Sequence, residues 1–231
     1  MSKRTIVGIL QARMGSSRFP GKSLADINGE PLLQRVINIQ KNTNLLDEYY
    51  VATSDLIIDN PIANLCRKMG IKCYRGSEKN VLHRFIDIGK ITNADIIVRL
   101  TGDNPFVDSD LINLVLDNFL ASKKKITYAS TEVESGFPFG MSVEVFLSSE
   151  LYKYKNTKNK DILEHVTTEI RKKNNRAKHL LVKSPFRCNK NINLSIDHKS
   201  DIDPIVSILK FLNNKSKYNY LDVLNRCNEI K

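Results

Sequence analysis

The chain opens with a short apolar run, Thr5 to Leu10, of strand-like character. Behind Pro31, a residue suited to the first turn of a helix, Leu32, Leu33, Val36, Ile37 and Ile39 recur near helical spacing. Tyr49 to Thr53 reads as a strand. Pro61 then opens a second helix, with Ile62, Leu65, Cys66 and Met69 on one stripe and Gly70 closing it before a short strand, Ile71 to Tyr74. The stretch Asn80 to Ile91 places Val81, Leu82, Phe85, Ile86 and Ile88 on a buried face and leads into Asp95 to Leu100, a strand that is nearly all apolar. Strands alternating with helices of this length predict βαβ units and a central parallel sheet covered on both faces. Ligands of such sheets sit at the carboxyl ends of the strands where the strand order reverses. Two loops therefore attract the chemistry: Gln11 to Ser23, and Thr101 to Asp108.

Beyond them, Asp108 and Asp110 read as caps of a helix from Leu111 to Leu120, and Lys125 to Ser130 as a strand. Gly and Pro then precede alternating Val143, Val145 and Leu147, which predicts a half-exposed strand or hairpin, a small β excursion near 136–147. Asp161 to Lys172 reads as helical, a short apolar run within Asn193 to Asp203 ends in Asp197, and Ile202 to Leu212 and Tyr220 to Glu229 read as outer helices. With no repeat, low-complexity linker or boundary signal, residues 1–231 are expected to form one domain.

The net charge of +11 calls for an anionic partner or a solvated basic surface. The lysines are spread along the chain among Asn and Ile, as at Lys153 to Lys160 and Lys183 to Asn193, without interleaved stacking aromatics or zinc-finger, RRM or KH spacing. Solvated surface accounts for most of the charge, nucleic acid is not expected, and the anionic partner favoured is a nucleotide. No apolar run approaches the roughly 20 residues that span a bilayer, and no signal-peptide segment is apparent, so a cytoplasmic protein without membrane insertion is expected. The four cysteines form no C-x-x-C pair and the four histidines are scattered, which points to reduced thiols and no histidine metal cluster.

The first loop, LQARMGSSRFPGKSL, carries glycine, serines and the cations Arg13, Arg18 and Lys22 directly after a strand. Small residues let backbone N–H groups approach a polyphosphate and the cations offset its charge; the bland alternative is a solvated basic turn. It is not a Walker loop, because five residues rather than four separate Gly15 from Gly21 and Pro20 removes an N–H where donors are needed. In the second loop Asp103 stands immediately beyond a buried strand, either as a turn former or as a ligand.

QARMGSSRFPGKSL, followed by Gly29-Glu30-Pro31-Leu32, resembles the signature of the sugar-activating cytidylyltransferases, the group of CMP-Kdo and CMP-sialate synthetases, and most nearly the subfamily named for spore-coat polysaccharide biosynthesis. RLTGDNPFVD resembles that family's second motif, GFPFGMSVEVF its sugar-side and dimer-contact region, Glu164-His165-Val166-Thr167 its E-H-V-T motif, and NLSIDHKSDID its closing strand. Around Asp197 the chain departs from the family: Asn193 and His198-Lys199-Ser200 stand where an arginine and Thr-Pro-Glu are usual.

The resemblance implies a doubly wound, mostly parallel α/β sheet of the nucleotide-diphospho-sugar transferase, Rossmann-like kind. It implies CTP and a small sugar as substrates, Mg²⁺ as cofactor and a homodimer. It further implies catalytic roles for Arg13, Arg18 and Lys22, with Mg²⁺ on Asp103 and Asp197. Nucleotide contacts fall to Gln11, Ala12, Gly15, Ser16, Ser77, Arg84 and Gly102, and acceptor contacts to Arg99, Gly140, Glu144, Glu164 and His165. CMP would pass from CTP to a sugar hydroxyl, that of an acidic 2-keto-3-deoxy sugar by analogy, releasing pyrophosphate for surface polysaccharide or glycan synthesis. Two other readings stay open: a glycosyltransferase of the same fold with a nucleotide-sugar donor, and a non-catalytic nucleotide-binding relative.

Overall fold

A computed structural model describes residues 3–172, 177–186, 188, 192–213 and 218–229; part of the basic run Lys183 to Asn193 lies outside the described residues. Strands β1 (Ile6–Gln11), β2 (Glu48–Ser54), β3 (Lys72–Gly76), β4 (Ile96–Thr101), β5 (Tyr128–Ser130), β6 (Glu144–Leu147) and β7 (His179–Leu181) form one sheet in the order β3-β2-β1-β4-β6-β5-β7. All pairings are parallel except those of β6, which runs against both β4 and β5. The helices are α1 (Leu32–Gln40), α2 (Asn60–Lys68), α3 (Val81–Ile91), α4 (Ser109–Ala121), α5 (Ser148–Tyr152), α6 (Lys160–His165), α7 (Ile202–Asn213) and α8 (Tyr220–Glu229).

The period-2 alternation of β1 divides the core. Ile6 and Leu10 pack with α1, α4, α7 and α8 on one face, and Val7 and Ile9 pack with α3, α5 and α6 on the other. A strand covered on both faces has no solvent side, which is why β1 and β4 read as continuous apolar runs. Among the described residues no helix is long and apolar enough to cross a membrane, and the four cysteines are free thiols.

Three expectations are corrected. The strand expected to be half-exposed is β6, which lies inside the sheet between β4 and β5, with Val145 facing one core and Phe146 the other. Its alternating polar position, Glu144, is buried because it is ion-paired, not because it faces water. The helix expected to reach Lys172 ends as α6 at His165, where Val166 takes a left-handed backbone (φ 53). The closing strand is reduced to one bridge, Phe139 to Asn193, after which Leu194 and Ile196 run buried without pairing as a strand.

Candidate active site

At the switch point β1 lies between β2 and β4, with Gln11 opposite Ala52 on one side and Thr101 on the other. The backbone continues this contact past the strand ends: Ala12 N–H donates to Ala52 O (3.2 Å) and Gly102 N–H to Gln11 O (2.9 Å). A Cβ on Gly102 would stand 3.2 Å from that of Ala12, a tight contact that glycine avoids where the two loops meet. A cleft opens over this junction. Of the residues singled out in the sequence, Gln11, Ala12, Arg13, Ser16, Arg18, Lys22, Arg84, Gly102, Asp103, Glu164, His165 and Asp197 line it.

The segment that carries Asp197 is brought in by its backbone, through Leu194 N–H to Phe139 O (2.8 Å) and Ile196 N–H to Asp103 O (3.0 Å). Asp103 and Asp197 thereby face a single cation. The Lys22 ammonium donates to Asp103 Oδ2 (2.9 Å), Asp197 Oδ1 (3.0 Å) and Ile196 O (2.9 Å), and Arg18 reaches Asp197 Oδ1 at 2.9 Å. The two carboxylates thus converge on one shared cation. Among the described residues no group of three or more His, Cys, Asp or Glu is gathered as a ligand set. A hard divalent ion that takes one or two carboxylates and completes its shell with phosphate oxygens and water matches this donor set.

Two further arginines frame the cleft. Arg13 Nη2 and Glu164 Oε1 are 3.4 Å apart, both about half exposed, a pairing of small energetic weight. Arg84 is 3 % exposed; it donates to Ala52 O (3.3 Å) and Glu78 O (3.4 Å), and its buried Nε has no hydrogen-bond partner. Burial lowers the Arg84 pKa and the nearby Asp59 charge works against that shift.

Five expected site residues do not line the cleft. Ser77 is exposed beyond β3, and Gly15 lies beside the Glu78 side chain. Arg99, expected to take the carboxylate of an acidic substrate, is ion-paired with Glu144 and donates from Nε to Gln11 Oε1 (3.1 Å). Glu144 also accepts from the Tyr128 hydroxyl (2.6 Å) and Thr167 Oγ1 (2.9 Å), with Arg171 Nε at 3.6 Å. Burial pushes its carboxyl up, but Arg99, Arg171 and the Tyr128 hydroxyl outweigh burial and hold it below the usual carboxylate range. Gly140 (φ 91) sits under the segment that carries Asp197, where a Cβ would lie 2.3 Å from Leu194 C and Ser195 N.

Glu164 and His165 reach the cleft from the last turn of α6. Immediately after them Thr167 N–H donates to His165 O (2.5 Å) across Val166, a γ-turn with φ 53 and ψ −56 in a β-branched residue, which is strained. Burial of Val166 and the Thr167–Glu144 bond hold that turn. The polar pair beneath the cleft therefore fixes both of its rims, Gln11 through Arg99 and His165 through Thr167.

Asp59 was not legible as a site residue. It ends a 3-10 turn, Ile57–Asp59, that runs into α2, yet it is 1 % exposed and accepts the Met14 N–H of the first loop at 2.7 Å. The only sequence signal was the two aspartates, Asp55 and Asp59, beyond a strand at the carboxyl edge of the sheet.

A family model described as cytidylyltransferase matches residues 7–224. The spore coat polysaccharide biosynthesis protein SpsF of Bacillus subtilis is 31% identical over 210 residues, covering 88% of this chain and 85% of SpsF. A 3-deoxy-manno-octulosonate cytidylyltransferase of Trichlorobacter lovleyi is 35% identical over 119 residues, 51% of this chain and 46% of that protein. A solved structure of a cytidylyltransferase from Leptospira borgpetersenii superposes with a TM-score of 0.89 at 27% identity, covering 97% of this chain and 94% of that one.

Proposed function

The chain belongs to the cytidylyltransferase family, and from that membership we propose that it transfers CMP from CTP to a sugar hydroxyl and releases pyrophosphate. The acceptor class is a 2-keto-3-deoxy sugar acid and the use is surface polysaccharide or glycan synthesis, as the names of SpsF and of the octulosonate cytidylyltransferase suggest. The observation that carries the proposal is the convergence of Asp103 and Asp197 on one cation beside the Arg13, Arg18 and Lys22 loop. The same reading takes the enzyme as a cytoplasmic homodimer.

Mg²⁺ held by Asp103 and Asp197 would supply Lewis-acid polarisation of the α-phosphate. The chain's own residues do the rest. Lys22 yields its place between the carboxylates and, with Arg13 and Arg18, offsets charge gathering on the leaving pyrophosphate, a preorganised electrostatic effect rather than covalent catalysis. Arg84, which lines the cleft, serves the cytidine nucleotide, and Glu164 and His165 serve the acceptor. Arg99 and Glu144 act beneath the pocket, as described above.

A metal-binding D-x-D would favour the glycosyltransferase reading, but the triplet Asp108-Ser109-Asp110 is not free to serve as one. Asp108 caps α4 through Leu111 N–H (2.9 Å) and α8 through Tyr220 N–H (2.7 Å).

Thermal unfolding with CTP, UTP, GTP, ATP, a UDP-sugar or a GDP-sugar, with and without Mg²⁺, tests the proposal without knowledge of the acceptor. A ligand at 100 times its dissociation constant adds about 2.7 kcal/mol, which raises the midpoint by roughly 5–10 °C at this chain length. A Mg²⁺-dependent shift with CTP alone is expected. A shift only with UDP- or GDP-sugars, or none with any nucleotide, overturns it. In the active enzyme Asp103→Asn should abolish turnover and leave part of the CTP affinity; an unchanged rate would sink the metal assignment.

A further inference from the structure

The first loop closes on itself through one peptide. Met14 O accepts both Ser16 N–H (2.9 Å) and Gly21 N–H (3.0 Å), so the orientation of Met14 decides where Ser16 begins and where Lys22 leaves the loop. The Met14 N–H is held from outside the loop, by Asp59 Oδ1 at 2.7 Å. The other oxygen of that carboxylate accepts Ser54 N–H (3.1 Å) and the Ser54 hydroxyl, which fixes it to the carboxyl end of β2. The loop that bears Asp59 is fastened in turn by Arg75, which donates to Ser54 O (3.0 Å), Asn60 Oδ1 (2.7 Å) and Leu56 O (2.7 Å).

A carboxylate that is 1 % exposed, with both oxygens occupied by donors on a strand end and on a glycine-serine loop, is a rigid anchor. It is also the buried acid whose charge acts on Arg84. We infer that Asp59 is a positioning residue for nucleotide binding: it orients the Met14 peptide and, through Met14 O, the loop that presents Ser16, Arg18 and Lys22 to the cleft. The inference rests on the cytidylyltransferase reading of that loop. Asp59 touches no reacting atom; its effect is on where the loop's donors stand, which is the kind of displacement that weakens binding far from the substituted atom.

Calorimetric titration of CTP with Mg²⁺ into wild type, Asp59→Asn and Ser54→Ala, well below their melting points, tests it. Asparagine keeps the shape of Asp59 but faces one of the two backbone N–H groups with its own NH₂, whereas Ser54→Ala removes only a hydroxyl on the β2 side. Asp59→Asn should weaken CTP at least tenfold, and Ser54→Ala should stay within about twofold of wild type while losing stability. A folded Asp59→Asn variant that binds CTP as wild type does overturns the inference, because a purely structural carboxylate would lower the melting point and leave affinity alone. No CTP binding by wild type overturns the family-based proposal, and this one with it. Should Asp59→Asn not fold, hydrogen exchange of the wild-type Met14 amide decides: strong protection supports the anchor, and exchange at the rate of a free amide refutes it.

Discussion

Gly140→Ala isolates what places Asp197. Two costs add. An L-residue in the left-handed backbone at φ 91 costs roughly 1–2 kcal/mol. The new Cβ would also lie 2.3 Å from the Leu194–Ser195 peptide, against a floor of 3.0 Å for real contacts, so that backbone must retreat by about 0.7 Å (3.0 minus 2.3). Overpacking of this kind adds roughly 1–3 kcal/mol, for a total near 3 kcal/mol and a melting point lower by roughly 6–12 °C. Gly29→Ala is the matched control, with φ 92 and nothing within 4 Å of its Cβ, and should show the conformational cost alone. Circular-dichroism melts of both variants give the difference directly. Because Asp197 lies two residues past Ser195, Gly140→Ala should also shrink the CTP–Mg²⁺ stabilisation, and Gly29→Ala should not. Equal melting points for the two variants would refute the contact, and an undiminished CTP–Mg²⁺ shift in Gly140→Ala would refute the link to Asp197.

Thr167→Val removes the hydroxyl bonded to buried Glu144 without changing shape, and should cost about 2 kcal/mol, or roughly 4–8 °C in melting point, with Thr167→Ser recovering most of it; equal melts for Val and Ser would refute the bond. Burial pushes the Asp108 carboxyl up to about 6, against the opposing pull of the Leu111 and Tyr220 N–H groups. The folded chain therefore holds that proton more tightly than the unfolded one. The stabilisation is full below about pH 4 and is lost as pH rises through about 6, by roughly 3 kcal/mol. Urea unfolding across that window should show the wild-type-minus-Asp108→Asn stability difference falling by this amount, and a flat difference would refute the burial argument.

The apolar runs of β1 and β4 were legible because both faces of these strands are covered, so the positions ahead of the strand ends are apolar apart from Arg99 of β4. β6 misled for the same reason in reverse. Its alternation marked Glu144 as solvent-facing, while the structure supplies Arg99, Tyr128 and Thr167 from three other parts of the chain. The γ-turn at Val166 left no trace, since a valine inside a helical pattern predicts more helix.

By itself the sequence determined the alternation of strand and helix and the two loops at the carboxyl edge, because side-chain periodicity and the strand-end rule act over a few residues. The family resemblance already paired Asp103 with Asp197; only the tertiary structure decided that Lys22 stands between them, that Gly140 makes room for the Asp197 segment, and that Asp59 reaches back to Met14. Those are pairings of polar groups far apart in the chain. A carboxylate reads the same in sequence whether water or a distant N–H will satisfy it, and burial through strand order settles which.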